Sequence, residues 1–365
     1  MSKKLAILAP FKAWGGIERK IVILCREFLA LGVQPELILT RGGQVPYPDE
    51  LPAGVQVVDL HSGGKLHTIP RLIRHIRHSR PDALLTAKDH SAKVAVIARR
   101  LGRLEMPVFV KVTNTLSQTL RRPLKRHFAR LLYPGADGII AISRGVRDDL
   151  IANFKLPQDL VKVIYNPTVT PDIADRARLP VDHPWLAPGA PPVIIGAGRL
   201  TPQKDFPFLV RAFATLRRRR SCRLLILGEG PERSTIEAAA RDLGVAAEVD
   251  LPGFVPDPVP WMARAGAFVL SSRYEGLGNV LIEALAAGAP VVATDCPSGP
   301  AEILDHGRYG PLVPVGEVPA LADAIDSVIA SPPAPELIKQ ALARFRSDMV
   351  ARQYLELMGF GEGGP

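Results

Sequence analysis

The sequence predicts an α/β protein of two doubly wound domains, and three observations carry that prediction. At 365 residues the chain exceeds what one hydrophobic core ordinarily organises, and two domains of usual size account for it. Short apolar runs of strand length alternate with longer stretches of helical character in both halves. Each half also opens alike, with a buried-type strand, a glycine-bearing turn and a helix. Leu5–Ala9 leads into Gly15-Gly16, and Val193–Ala197 leads into Gly198-Arg199-Leu200.

In the first half, Leu5–Ala9 follows directly on Met1-Ser2-Lys3-Lys4 and is too short for the apolar core of a signal peptide. The helix after Gly15-Gly16 runs through Leu31 and stops at Gly32, and Glu36–Thr40 forms the next strand. The turn lacks the G-x-G-x-x-G spacing. The second strand ends at Thr40-Arg41-Gly42 with no carboxylate for a ribose, which disfavours a dinucleotide dehydrogenase. On these residues alone Gly15-Gly16 is equally an ordinary tight turn. Residues 61–80 interleave His61, His67, His75 and His78 with Arg71, Arg74, Arg77 and Arg80. The arginines repel a cation, so a basic helix over Thr68–Ser79 is the better reading, with Leu72, Ile73 and Ile76 as its apolar stripe.

Ala83–Thr86 is a strand ending at Lys88-Asp89-His90, followed by a helix through Arg100; Val108–Val112 ends at Thr113-Asn114-Thr115. Open α/β sheets place ligands just past their strand C-termini, which makes His90 and Asn114 ligand-site candidates. An incidental loop histidine reads the same way. Residues 119–134 set Arg121, Arg122, Lys125, Arg126, His127 and Arg130 around Leu120, Leu124, Phe128, Leu131, Leu132 and Tyr133. That mixture suits a membrane-surface helix, or equally the solvated face of a core-packed one. Ile139–Ile142 and Val161–Tyr165 complete a first domain over residues 1–170, and the proline-rich stretch Pro167–Pro192 reads as an irregular linker.

The second domain spans residues 190–344. Val193–Ala197 is followed by Gly198-Arg199-Leu200-Thr201-Pro202-Gln203-Lys204-Asp205, where Arg199 and Lys204 are candidates to grip two phosphates or simply two solvated cations. The next helix, through Arg211–Arg220, ends in four arginines that read as a solvated terminus. Arg223–Leu227 ends at Gly228-Glu229-Gly230, Val249–Leu251 leads into Gly253-Phe254, and Ala267–Leu270 precedes Ser271-Ser272-Arg273-Tyr274-Glu275. The most informative stretch follows: Gly276 and Gly278 loosen the chain, a helix runs from Asn279 to Ala287, Gly288 ends it, and Pro290 opens a buried strand. Amides at the helix start, near Gly278, Asn279 and Val280, suit a phosphate. Glu275 before the helix could accept bonds from sugar hydroxyls, and Glu283 within it from a ribose. A dipole-complementing Glu and a surface Glu explain the same pattern without a ligand, and residue chemistry leaves both open. After two closing helices, Asp348–Met358 has helical apolar spacing and Gly361–Pro365 reads as a frayed tail.

Composition narrows the function. Apolar residues make up 47% and charged ones 22%, the balance of a soluble globular chain, with no apolar run of transmembrane length. Cys25, Cys222 and Cys296 lack metal-ligand spacing and suit reduced thiols in the cytoplasm; no metal site is indicated. Residues 1–170 hold 27 Lys and Arg against 13 Asp and Glu, a net of +14, whereas the rest hold 19 against 23, a net of −4. The first half therefore faces an anionic partner, an anionic membrane or nucleic acid. No nucleic-acid module or aromatic stacking platform is present, so nucleic acid is the weaker expectation.

Glu275 and Glu283 separated by seven residues, followed by Ala284-Leu285-Ala286-Ala287-Gly288-Ala289-Pro290-Val291-Val292-Ala293, resemble the family 4 retaining glycosyltransferases. Gly198-Arg199-Leu200 with Lys204, and the turn at Gly228, extend the resemblance over most of the chain. It implies a GT-B fold, two Rossmann-like domains facing across a cleft, with residues 345–360 as a helix returning to the first domain. It further implies hexosyl transfer with retention from a nucleotide-diphosphate sugar, UDP-sugar favoured over GDP-sugar, with neither metal nor cofactor. Arg199 and Lys204 would neutralise the leaving diphosphate, Glu275 would orient the sugar, and Glu283 would hold the ribose. Phe254 and Gly228 would border the nucleotide, and Gly15-Gly16 would face the diphosphate. The family often has a histidine where Asn114 falls, so an acid/base role there is replaced by a polar one. No second carboxylate stands as a nucleophile, which fits a front-face displacement. Glu275–Leu281 with Cys296–Ile303 further resembles bacterial envelope enzymes acting on lipopolysaccharide or lipid-linked acceptors, peripheral at the inner face of the membrane. The alternatives are a related GT-B epimerase or hydrolase and a basic nucleic-acid-binding protein.

Overall fold

The structure, a computed structural model, describes residues 2–9, 15–40, 47–61, 65–120 and 122–361, without the side chains of residues 65, 66, 89 and 90. Turn residues 11–14, Arg41, Gly42, Arg121, the side chain of His90 and tail residues 362–365 therefore lie outside the described part. The chain divides into two units, Met1–Pro167 with Phe345–Pro365, and Thr168–Arg344.

The first unit runs β1 (Lys4–Ala9), α1 (Gly16–Ala30), β2 (Gln34–Leu39), β3 (Gln56–Asp59), α2 (Lys65–Ser79), β4 (Ala83–Thr86) and α3 (Asp89–Gly102). It continues with β5 (Val108–Val112), α4 (Leu116–Thr119), α5 (Pro123–Leu132), β6 (Gly138–Ala141), α6 (Arg144–Phe154) and β7 (Val161–Val163). Seven parallel strands lie in the order β3-β2-β1-β4-β5-β6-β7. The chain winds outward from β1 to β3 and returns to β4 on the other side of β1, so the order reverses between β1 and β4. That reversal opens a crevice at the carboxyl ends of the strands. Strands β4, β5 and β6 are buried throughout, which is why they read as apolar runs broken only by Thr86 in β4 and Lys111 in β5.

The second unit carries α7 (Ile173–Arg178), β8 (Val193–Ala197), α8 (Phe206–Arg217), β9 (Arg223–Leu227), α9 (Arg233–Asp242), β10 (Val249–Gly253), α10 (Val259–Met262) and β11 (Ala267–Leu270). There follow α11 (Asn279–Ala286), β12 (Val291–Thr294), α12 (Pro300–Ile303), β13 (Leu312–Val313), α13 (Val318–Ala330) and α14 (Pro335–Leu342). Its six parallel strands are ordered β10-β9-β8-β11-β12-β13, and the reversal falls between β8 and β11. Phe206, Leu209 and Phe213 of α8 pack with Leu321 and Ile325 of α13 over one face of this sheet.

The final helix, α15 (Ser347–Leu357), belongs to the first unit. Val350, Ala351, Tyr354 and Leu355 join Ile21, Leu24 and Phe28 of α1 over Leu5, Ile7 and Ala9 of β1. Ser347 Oγ donates to Glu27 Oε1 at 2.7 Å. With α1 on that face, right-handed crossovers put α2, α3, α5 and α6 on the other.

Three readings of the sequence change. The stretch Pro167–Pro192 is no bare linker: it holds α7, whose Arg176 forks onto Asp257 at 2.8 and 2.6 Å, and His183 Nε2 lies 3.0 Å from Asp250. The arginines ending α8 are paired instead of merely solvated, Arg217 with Glu248, Arg219 with Asp323, and Arg220 with Asp326. Helix α2 starts at Lys65, three residues early, and carries Pro70 inside it at the cost of one backbone bond. No helix among the described residues is long and apolar enough to cross a membrane.

Candidate active site

The reversal between β8 and β11 brings together two loops from opposite ends of the second unit's sequence. The loop after β8 is stapled to its neighbour after β9. Gly198 N donates to Leu227 O (2.9 Å), Leu200 N to Glu229 O (2.9 Å), and Glu232 N to Leu200 O (3.0 Å). That closeness demands glycine at Gly228, where a Cβ would stand 1.9 Å from Gly198 O. The same loop is then tied to the one after β11. Ser271 Oγ donates to Lys204 O at 2.8 Å, Arg273 N to Gln203 O at 2.8 Å, and Gln203 Nε2 to Tyr274 O at 2.9 Å. Arg273 also pairs with the buried Asp205 at 2.7 Å.

Within this frame the two charged residues singled out from sequence meet. Lys204 Nζ lies 2.5 Å from Glu275 Oε1, which also accepts from Ser272 Oγ at 2.6 Å. Glu275 is 7% exposed and Ser272 fully buried, so the carboxylate is sequestered and held by both partners. Ser272 is fixed in turn by Thr294, whose hydroxyl donates to Ser272 O at 2.6 Å. Burial first, and then the Glu275 charge, push the nearby Cys296 thiol up to about 12, which keeps it protonated and unreactive.

Helix α11 starts four residues beyond Glu275. Gly278 caps it at φ 95°, a left-handed conformation costly for any side chain. Leu281, Ile282, Ala284 and Leu285 are buried, while Asn279 and Glu283, one turn apart on a common face, are half-buried. Asn279 Oδ1 lies 3.4 Å from Thr168 Oγ1. Arg176 is within electrostatic reach of Glu283. Burial works against its charge, but the bond and charge of Asp257, with Asp172 and Glu283, raise its pKa overall.

Arg199 has an exposed side chain on the loop after β8, and Phe254, beyond β10, is 51% exposed. Four candidates belong to the first unit. Gly15 and Gly16 form the start of α1, where Glu18 pairs with Lys88. Asn114 is half-buried just past β5, and His90 lies in the first turn of α3 with its side chain outside the described part. Among the described residues no group of three His, Cys, Asp or Glu is arranged to hold a metal. Sequence reasoning missed Ser272 and Arg176. A hydroxyl directly after an apolar strand was the available signal for Ser272, whereas Arg176 sits in a stretch whose composition hides its helix.

Comparison with known proteins places this arrangement in a family. Residues 14–170 match the family described as Glycosyltransferase Family 4, and residues 191–331 match Glycosyl transferases group 1. The lipopolysaccharide core biosynthesis glycosyltransferase LpsE of Rhizobium meliloti is 32% identical over 320 residues, 87% of this chain and 86% of that protein. A Campylobacter jejuni N-acetylgalactosamine-N,N'-diacetylbacillosaminyl-diphospho-undecaprenol 4-alpha-N-acetylgalactosaminyltransferase is 31% identical over 226 residues, 61% of this chain and 60% of that enzyme. Among solved structures, Anabaena HepE in complex with UDP-glucose shares the fold, with a TM-score of 0.76 at 21% identity, over 97% of this chain and 98% of that one. Two parallel Rossmann-like units, the matched segments in both and the relationship to LpsE together make this chain a member of the family 4, group 1 glycosyltransferases of the GT-B fold.

Proposed function

We propose that the chain is a retaining, metal-independent hexosyltransferase that carries a hexosyl unit from a nucleotide-diphosphate sugar to a glycan or lipid-linked acceptor in envelope polysaccharide synthesis. The observation that carries the reading is the Lys204–Glu275–Ser272 knot at the β8/β11 reversal, beside the amides that open α11. An ammonium has three donors, so one bond to Glu275 leaves two for a phosphate. As the sugar–diphosphate bond breaks, charge grows on the leaving oxygen. Lys204, Arg199 and the α11 amides would oppose it, a contact whose loss typically costs roughly 10²- to 10³-fold in turnover. Glu275 would orient the sugar hydroxyls and Glu283 the ribose, while in the first unit Gly15-Gly16 would face the diphosphate and Asn114 and His90 would take the acceptor.

UDP-sugar is the proposed donor, in keeping with the UDP-glucose complex of HepE. A lipid-linked acceptor accords with the undecaprenol and lipopolysaccharide named for the two relatives, and would be met at the inner face of a membrane. The test is release of UDP or GDP from a panel of nucleotide hexoses, with and without lipid-linked acceptor, with product anomers read by NMR. Acceptor-dependent UDP release, an α-linked product from an α-linked donor and full activity in chelator are expected. Equal release without acceptor would make the protein a hydrolase instead.

A further inference from the structure

Helix α5 is turned inside out. Of its ten residues only Ala129 is buried, while Leu124, Phe128 and Leu131 are 66%, 50% and 61% exposed. Their i, i+4, i+7 spacing sets them in one stripe along the outer face. Two of its basic side chains, by contrast, reach back to the protein. Arg126 donates to Ser117 O at 3.4 Å and lies 5.9 Å from the Phe154 ring, and Arg130 donates to Asn153 O at 2.7 Å. A helix serving only the core would do the reverse. Arg122 and Lys125 stand exposed at the start of the stripe. The last turn of neighbouring α3 carries Leu101, 70% exposed, between the exposed Arg100 and Arg103.

This stripe sits within a strongly one-signed face. Helices α2, α3 and α5 cover the same side of the first sheet, and together they contain ten Lys and Arg against a single acid, Asp89. Long basic side chains around an exposed aliphatic and aromatic stripe match the chemistry of an anionic bilayer, where headgroups take the charges and acyl chains take the stripe. Nucleic acid would use the charges but not Leu124 and Leu131, and a stacking surface would need more than the one aromatic, Phe128. We infer that the α2–α3–α5 face docks on anionic lipid, with Leu124, Phe128 and Leu131 inserted into the interface. The inference deepens the lipid-linked acceptor reading, yet it is tested without donor or acceptor, so the two can fail separately.

The full chain should float with phosphatidylglycerol-containing vesicles and not with pure phosphatidylcholine, and high salt should release it. Arg122→Glu with Lys125→Glu should weaken binding about tenfold or more. Leu124→Ser with Phe128→Ser should abolish retention with an unchanged melting temperature, since both side chains are already exposed. Each of these variants should keep transfer to a short water-soluble acceptor. A Trp placed by Phe128→Trp, with Trp14, Trp185 and Trp261 each replaced by Phe, should shift its emission to the blue on phosphatidylglycerol vesicles only. Equal binding to both vesicle types, no binding to either, or displacement from phosphatidylglycerol by RNA or DNA at low concentration would overturn the docking.

Discussion

Lys204 has two partners to serve, and its removal should show both. Because its ammonium neutralises a carboxylate only 7% exposed, it is tied to the fold in a way that a loop lysine read from sequence is not. Breaking a fully buried pair costs about 3–5 kcal/mol, and less here because Lys204 is itself partly exposed. Lys204→Ala should therefore lower Tm and cut kcat by about 100-fold or more. Pairing it with Glu275→Gln should recover much of the stability but none of the activity. Near wild-type turnover in a folded Lys204→Ala protein would remove it from the diphosphate. A second lysine makes a cleaner thermodynamic test. Lys111 is fully buried in β5, with Nζ 5.5 Å from the Tyr354 ring centroid. Burial first, and then the charge of Lys20, lower its pKa to about 7. An unfolded chain titrates its lysines near about 10.4, so between those values the unfolded state binds more protons. Stability thus rises with pH over that interval, and the full penalty is present below about pH 7. Lys111→Met should raise Tm, most at pH 6–7 and progressively less toward pH 10; a gain independent of pH would contradict a neutral buried Lys111.

At the scale of elements, Gly228 decides whether the β8 and β9 loops can meet. Gly228→Ala would drive a methyl against Gly198 O, a backbone atom that cannot swing aside, and would strain a φ of 145°. Urea unfolding should show a loss of about 1–3 kcal/mol, with donor binding reduced as the Arg199 loop shifts. Gly16→Ala, where a Cβ meets nothing within 4 Å, should alter stability little by comparison. The elements legible in the sequence were those buried on both faces. β4, β5, β8 and β11 have all their residues buried and read as apolar runs, broken only by Thr86 at the end of β4 and Lys111 in β5. The edge strands gave no such signal, β3 because Val57 is 40% exposed and β13 because it has two residues. Loops at the strand ends were legible as candidate sites for the same topological reason. Long-range ties such as Arg176 to Asp257, 81 residues apart, leave no local pattern, so the packing of α7 stayed hidden.

For the whole molecule, charge divides as the proposed roles do: +14 over residues 1–170, the half proposed to meet an anionic surface, and −4 over the rest, the half proposed to bind the donor. A ligand that binds only the native state stabilises it by about 2.7 kcal/mol at a hundred times its Kd. For a domain of this size that is a Tm shift of about 5–10 °C. UDP should produce it, GDP should produce less, and AMP, lacking the diphosphate, should produce almost none. Hydrogen exchange should slow at the amides of residues 198–205 and 275–283 on UDP binding, and the vesicle-facing helices α2, α3 and α5 should be unaffected. Glu283→Ala should weaken UDP binding by about 1–3 kcal/mol through the lost ribose contact. Glu275→Gln should leave UDP affinity nearly unchanged, because the contact proposed for Glu275 is with the sugar. UDP affinity unaltered in Glu283→Ala would move the ribose elsewhere, and a larger shift with GDP would reverse the choice of base.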